Sequence, residues 1–512
     1  MSRLKFKERV KLHPIMSFII LIVLTIIVSG ILGYFDIGAN YLDVNPKTQT
    51  IETSEVFVDS LFNLAGLKYI FSNTVSNFVS FAPLSMLIII LVGIGIMDKS
   101  GFLQAFFTLI TKFTKKTKVT FFLILTSILA SLCGEVVCVI MIPIGALLFK
   151  YGKRNPMIGI IASYAGVTCG IASKVVLSSI DSTLITYSKI SAQGLDPNYT
   201  INTFGFVIIT LASIIILSFA LTAITERFVV PRLEKYTVEE EIEDYTVGRR
   251  ELRGIIIALA AGILYMLFFT YNIIPGLPLS GSLLDHKQTL YIDKLFGYNT
   301  FFSLGFIFVV TMLFIILGLF YGLGTKTIKS NKMFSDYLSF SLDKIGKVLV
   351  LILFASTFIS VFKRTYLGNV ISASLVNVLL DTKLSGFVLV LVMFVISIIS
   401  AFFLPGTVLR WSIMGGTAVR SFMNAGLSAE FAQIIFRAGE AVALGLTPLF
   451  AYFIIYLGYI KQYNHSEKPI TISQGIKYII PYSVVTAVIW LVLIVIWYTI
   501  GIPLGINTTP FL

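Results

Sequence analysis

The chain has 512 residues, of which 56% are hydrophobic and only 13% charged, and its mean hydropathy is +0.91. This is too apolar for a soluble protein of its length and defines a polytopic membrane protein. The excess of 39 Lys and Arg over 26 Asp and Glu lies in short segments between apolar runs, so it reads as a topology signal and not as a nucleic-acid footprint.

Arg3, Lys5, Lys7, Arg9 and Lys11 precede the apolar run 14–35. That run is too long for a signal-peptide core and has no A-x-A site, so it predicts an uncleaved first span with its N-terminus in the cytoplasm, in the inner (cytoplasmic) membrane. Residues 36–60 hold Asp36, Asp43, Glu52, Glu55 and Asp59 against Lys47 alone, which places this loop outside. An amphipathic approach over 56–81 leads into an apolar return, 82–97. An amphipathic helix over 102–117 then ends in KFTKKTK, where Lys112, Lys115, Lys116 and Lys118 mark the cytoplasm again.

The run 119–149 is interrupted at Gly134-Glu135 and Pro143 and is basic at both ends, so a broken pair fits better than one helix. Next comes NPMIGIIASYAGVTCGIASKVVLSSIDSTLITYSKI, with Gly166, Gly170, Lys174 and Asp181, a candidate re-entrant element. After a clean span over 203–225, residues 226–253 carry mixed charges that suit a solvated cytoplasmic linker. The second half repeats the plan: a span over 254–274, an external loop over 275–300, a return over 302–323, then segments at 348–361, 368–380 and 385–404. The chain closes with spans near 449–460 and 478–501 and an uncharged tail placed outside. The resulting units are 1–81 (first span and external approach), 82–225 (first repeat), 226–253 (linker), 254–346 (intervening spans) and 347–512 (second repeat).

The stretch 401–448 carries the anomalies. Arg410, Arg437 and Glu440 lie among Pro405, Gly406, Gly415, Gly416 and Gly439, and a charge at bilayer depth costs about 2.5 to 3.5 kcal/mol on insertion scales. Charges beside helix breakers point to discontinuous helices around a wet chamber, half of a transport site. A weak internal repeat supports this, since TKVTFFLILTSILASL from Thr117 parallels TKLSGFVLVLVMFVISIIS from Thr382, and SYAGVTCGIASK parallels FRAGEAVALGLTP. If the repeat holds, the segment from Lys174 to Asp181 meets the segment from Arg410 to Glu440. Cys133, Cys138 and Cys169 lie in apolar runs without paired spacing, which argues against disulfides or zinc. His13, His286 and His465 lie in polar flanks, which argues against a histidine proton relay. Scattered single charges do not make the continuous polar path or charge ring of an ion channel, and no nucleophile or metal grouping suggests an enzyme.

Several segments resemble the AbgT family of p-aminobenzoyl-glutamate transporters: ERVKLHP, GLKYIFSNTVSNFVSFAPLSMLIIILVGIGIMDKSG, IPIGALLF, SSIDSTL and FRAGEAVALGLTPL. The resemblance implies an all-α transporter core of about nine transmembrane helices plus two opposed re-entrant hairpins in an inverted repeat. It also implies a homodimer with an inward-facing basin in membrane lipid, and secondary-active transport of a small organic anion such as p-aminobenzoyl-glutamate, or drug export of the sulfonamide type in some members. By position it implies that Asp181 is a functional aspartate and that Trp411, Arg437 and Pro448 bind substrate. The chain departs from the family where Glu440 and Glu135 replace aspartates, Lys174 replaces an asparagine, Ala401 and Val408 replace small polar residues, and Ala429 replaces a proline.

The expected substrate-binding set is therefore Trp411, Arg437, Arg410, Glu440 and Pro448, and the expected ion-coupling set is Asp181, Lys174 and Glu135. No metal or organic cofactor is expected; a proton or sodium is the coupling ion. Each residue also has a plainer reading. Arg437 and Glu440, three apart on a helix, pair structurally or present the arginine fork to a carboxylate. Arg410 binds substrate from a hairpin tip or snorkels to the interface. Trp411 stacks on an aromatic ring or simply packs, and Asp181 carries a proton or caps a half-helix. Lys174 places an ammonium where the family has an amide and would compete with a bound sodium, which predicts sodium-independent, proton-coupled transport with Lys174 paired to Asp181 or Glu135; read plainly, it reaches the interface or sits in a fixed ion pair.

Overall fold

The computed structural model describes residues 12–512 apart from 47, 177, 234–235, 298–299, 344, 382–383, 385 and 465–469. The basic residues at positions 3–11, His465 and part of the loop before the last span thus lie outside the described residues. Helix α1 (Pro14–Tyr34) opens the chain, and its N-cap His13 contacts Lys461 Nζ. A feature that hydropathy does not announce follows: strands β1 (Gly38–Asn45) and β2 (Thr50–Phe57) pair antiparallel in the acidic external loop. The sequence reading takes this region as loop and amphipathic approach, because TIETSEVF carries only a weak apolar alternation.

Helices α2 (Leu64–Val79), α3 (Ala82–Lys99), α4 (Phe102–Phe113), α5 (Lys116–Ala130), α6 (Cys138–Tyr151), α7 (Pro156–Gly170), α8 (Ser179–Gln193) and α9 (Val207–Ile224) make up the first half. After a short α10 (Glu240–Glu243) come α11 (Arg249–Ile273), α12 (Tyr291–Phe296), α13 (Phe301–Gly324), α14 (Asn331–Ser339), α15 (Gly346–Arg364) and α16 (Leu367–Asp381). The chain closes with α17 (Gly386–Phe403), α18 (Thr407–Asn424), α19 (Ala429–Ala443), α20 (Ala451–Gln462) and α21 (Ile472–Ile500).

Among the described residues ten helical stretches are long and apolar enough to cross a membrane. Two of these, Leu64–Lys99 and Ala429–Gln462, are bent pairs. Helices α6 and α7, with 14 and 15 residues, rise only about 21–23 Å at 1.5 Å per residue, short of a hydrocarbon core of about 30 Å. Their ends fall at the breaks that Gly134 (φ +85°) and the segment after Gly170 create.

The packing of the two halves corresponds. Helix α5 packs on α7 as α17 packs on α19; α8 packs on α18 as α20 packs on α6; and α9 packs on α21. These exchanged contacts bring the breaks of one half against those of the other. Small residues permit the approach: Gly145 and Gly159 face each other between α6 and α7, and Gly439 of α19 sits on Ser397 of α17. Such stripes let helices close where lipid supplies no hydrophobic drive.

The segment 226–253 is largely exposed, as expected of a solvated linker, but is docked at a few points. Arg154 Nη2 pairs with both oxygens of Glu226 at 2.9 and 3.0 Å, Lys150 pairs with Glu239 at 3.0 Å, and Ile242 is buried. Glu226 and Glu239 thus tie the segment to α6 and the residues after it, while its other described charged residues, such as Arg227, Arg232, Glu240, Asp244 and Arg250, are exposed to solvent.

Candidate functional site

The charged residues at the breaks form one chain of ion pairs of alternating sign. Lys174, in the break after α7, places Nζ 2.9 Å from Asp181 Oδ2 and 2.6 Å from Ser178 Oγ. Asp181 Oδ1 lies 3.2 Å from Arg437 Nε, Arg437 Nη1 holds Glu440 Oε2, and Arg410 Nη2 lies 2.9 Å from Glu440 Oε1. All five residues are buried. The two segments that the weak repeat pairs therefore meet, with Arg437 as the joint between them.

Local structure explains each position. Ser178 is the N-cap of α8 and Asp181 its third residue, and the two form a capping box: Ser178 Oγ accepts from the Asp181 amide and Asp181 Oδ2 accepts from the Ser178 amide. Asp181 is thus a cap and an ion-pair partner at once: Oδ2 serves the cap and Lys174 together, and Oδ1 faces Arg437. The arginines satisfy carbonyls freed at helix ends. Arg437 Nη2 donates to Ile171 O at the end of α7 (2.7 Å), and Arg410 Nη1 donates to Leu404 O just past α17 (2.8 Å). Thr407 Oγ1 donates to Glu440 Oε1. Arg410, for which a tip position and snorkelling were one reading, is fully buried and its guanidinium lies 4.5 Å over the Phe436 ring; the Glu440 charge, which the helix periodicity alone does not bring to it, holds it inside.

Three cations and two carboxylates leave this chain with an excess of one positive charge. Glu135 is the remaining acid. It lies half-buried in the broken turn between α5 and α6 and is electrostatically coupled to Glu440, Arg437, Arg410 and Lys174. Among the described residues it makes no ion pair of its own, and Lys174 chooses Asp181 over it.

Lys174, Asp181 and Arg437 line a cavity of about 40 Å³ together with Gln433, Thr210, Phe206 and Trp490. One water needs roughly 10–15 Å³ on this measure, so the chamber holds a few waters and no aromatic ring. Trp490, buried with its indole N–H unpartnered, was not singled out from the sequence; an isolated tryptophan in an apolar span carries no signal there. Trp411 is fully buried, packs on Phe436 at 4.5 Å between ring centroids, and donates to Ser188 Oγ at 3.0 Å. Pro448 is separate from the cluster: it lines an open cavity beside α1 and α21 with Thr447, Leu449 and Phe403.

A second, larger cavity of about 280 Å³ opens among Asp98, Lys150, Tyr151, Tyr236, Glu239, Tyr459 and Tyr463. Tyr452, Tyr456 and Tyr459 of α20 and its C-cap Tyr463 recur at helical spacing, and Tyr452 lies within electrostatic reach of Glu135. One face of α20 thus runs from the charged chain to that cavity.

The fold and site define a multi-pass membrane protein whose charged centre is assembled from the ends of discontinuous helices. Residues 8–512 match the family described as "AbgT putative transporter family", and the chain belongs to that family. It is 25% identical over 498 residues to the p-aminobenzoyl-glutamate transport protein of Escherichia coli (strain K12), spanning 97% of this chain and 94% of that protein. Among solved structures it is similar to the YdaH transporter of Alcanivorax borkumensis (24% identity, TM-score 0.47, 96% of this chain and 100% of that one). It is also similar to MtrF of Neisseria gonorrhoeae, described within a class of antimetabolite efflux pumps (27% identity, TM-score 0.48, 98% of each chain).

Proposed function

We propose that this transporter carries a small aromatic organic anion of the p-aminobenzoyl-glutamate type across the cytoplasmic membrane by secondary-active, proton-coupled transport. The observation that carries the reading is the alternating chain of Lys174, Asp181, Arg437, Glu440 and Arg410, with its one surplus positive charge and Glu135 beside it. With Glu135 ionised the six groups are neutral together. With Glu135 protonated they carry the charge that an incoming carboxylate satisfies.

Arg437 is the group that changes partners. Its fork is divided between Asp181 and Glu440, and a substrate carboxylate that takes over the Asp181 position opens the chamber between α8 and α19. Lys174, held by Asp181 and Ser178, then keeps Asp181 satisfied on its own side. The lysine ammonium would compete electrostatically with a sodium ion bound here, so sodium has no role in the cycle in this reading. The tyrosine-lined face of α20 connects Glu135 to the cavity at the Lys150 end, which supports proton access from that side. The N-terminus is cytoplasmic in this reading, and the working unit is a homodimer.

The test is flux into vesicles reconstituted with the purified chain, using labelled p-aminobenzoyl-glutamate under an imposed proton or sodium gradient. A proton gradient is expected to drive accumulation and a sodium gradient is not. Sodium-driven flux would overturn the coupling, and no gradient-driven flux of this or a related dicarboxylate would overturn the substrate class.

A further inference from the structure

The end of the molecule that carries Lys112, Lys116, Lys153 and Arg154 holds a cavity of about 430 Å³ that the transport site does not use. It lies between α4, the start of α5, the end of α6 and the docked segment Tyr245, Thr246 and Val247. Its lining contains four cations and no carboxylate. Arg154 is already committed to Glu226, and Lys153 donates to the Glu243 carbonyl. Among the described residues Lys112 has only the Phe113 ring at 5.9 Å, and Lys116 has no ion pair. Uncompensated positive charge therefore collects on the α4–α5 corner.

An independent feature of α5 points the same way. A helix N-terminus favours an acidic first turn and a side-chain cap. Helix α5 has neither: its N-cap is Lys115, no side chain caps it, and no acidic residue lies in its first turn. Lys116 and Lys118 instead place positive charge against the positive end of the helix dipole. Its free amides, its lysines and the cavity that Thr114, Lys116 and Val119 line together want an anion. The apolar part of the wall, Leu148, Phe149, Val119 and Val247, suits something with hydrocarbon attached. Phe113, between the lining residues Lys112 and Thr114, and Phe122, three residues past the lining residue Val119, are exposed, as side chains that face lipid are.

We propose that this cavity binds the phosphate headgroup of an anionic phospholipid, with Lys112, Lys116 and the α5 N-terminus on the phosphate and the acyl chains leaving past Phe113 and Phe122. Because the docked segment forms one wall, the bound lipid fastens that segment to the membrane end of the bundle. The cavity shares no lining residue with the one at Arg437, and the proposal does not depend on the transport reading.

The experiment measures thermal unfolding of the full chain in detergent supplemented with phosphatidylglycerol, with phosphatidylcholine, or with inorganic phosphate at matched phosphate concentration. Phosphatidylglycerol is expected to raise the midpoint, and the other two are not. The double variant Lys112→Gln/Lys116→Gln is expected to lose that rise while unfolding normally in phosphatidylcholine. The control Lys329→Gln/Lys332→Gln removes the same charge from exposed positions elsewhere and is expected to keep the rise. A rise that survives in Lys112→Gln/Lys116→Gln, or falls equally in the control, would overturn the site. A rise reproduced in full by inorganic phosphate would overturn the lipid assignment.

Discussion

The surplus positive charge of the buried chain makes an asymmetric prediction. Asp181 lies between two cations, 2.9 Å from Lys174 Nζ and 3.2 Å from Arg437 Nε. Asp181→Asn keeps the shape and removes the charge, so it leaves two buried cations facing each other and raises the excess from one to two. Breaking a buried pair in this way costs about 3–5 kcal/mol. Lys174→Met instead removes the excess. Asp181 then still has Arg437, the Ser178 amide at 3.1 Å and Ser178 Oγ at 2.7 Å, so the cost is only about 1 kcal/mol, that of one net hydrogen bond. The double variant removes both partners and should cost about the same as Lys174→Met alone, giving a coupling of about 3–5 kcal/mol. Unfolding in mixed micelles, run as a double-mutant cycle, measures all three. A Lys174→Met variant as unstable as Asp181→Asn would refute the reasoning, because it would mean that Glu135 is ionised and the chain is already neutral.

Lys174→Asn is expected to make transport sodium-dependent or abolish it; unchanged sodium-blind, proton-driven flux would remove the role given to this lysine. Trp411→Phe loses the hydrogen bond to Ser188 but keeps the packing on Phe436, so it should cost about 1 kcal/mol and leave KM unchanged in flux assays, whereas a raised KM would mean that the indole contacts substrate. Gly439→Ala drives its Cβ to 2.4 Å from Ser397 Cβ and 2.9 Å from the Ile398 amide, and overpacking of this kind should cost about 1–3 kcal/mol in the same unfolding assay. In the external hairpin Asp43 stands opposite Glu52, and burial together with the facing Glu52 pushes the Asp43 carboxyl above its ordinary value. A carboxyl whose folded value is raised adds stability at acid pH that is lost as pH rises through that value. Hydrogen exchange of the hairpin amides should therefore quicken over that window beyond the intrinsic base catalysis, and Glu52→Gln should slow it and stabilise the pair by about 0.2–1 kcal/mol.

The sequence made the membrane class and the breaks legible because both depend on local composition: long apolar runs fix the spans, and Gly134, Pro405 and Gly406 stop helices wherever they fall. It also singled out the charged residues, since a lone charge in an apolar run is conspicuous. What it left open was pairing. Arg437 donates to a carbonyl 266 positions away, and no spacing rule reaches that far. Arg410 shows the same limit: its neighbours in sequence suggest a tip, whereas Glu440 from another helix makes full burial tolerable. The segment 226–253 keeps most of its charges in solvent as its composition suggests, and only its ties to Lys150 and Arg154 were beyond the reach of spacing rules. The hairpin at 38–57 was missed because its alternation is weak and its surroundings are helical. Pro448 was placed with the site through resemblance alone, and the fold puts it at a separate cavity.

The most direct test of the account compares the wild-type chain with Glu135→Gln in vesicles, measuring both counterflow of labelled p-aminobenzoyl-glutamate and its accumulation under a pH gradient of one unit. With one net proton per substrate, that gradient supports a concentration ratio of about tenfold. The wild type is expected to show both activities, and Glu135→Gln is expected to exchange substrate but not to accumulate it. Proton-driven accumulation by Glu135→Gln at the wild-type level would contradict the account.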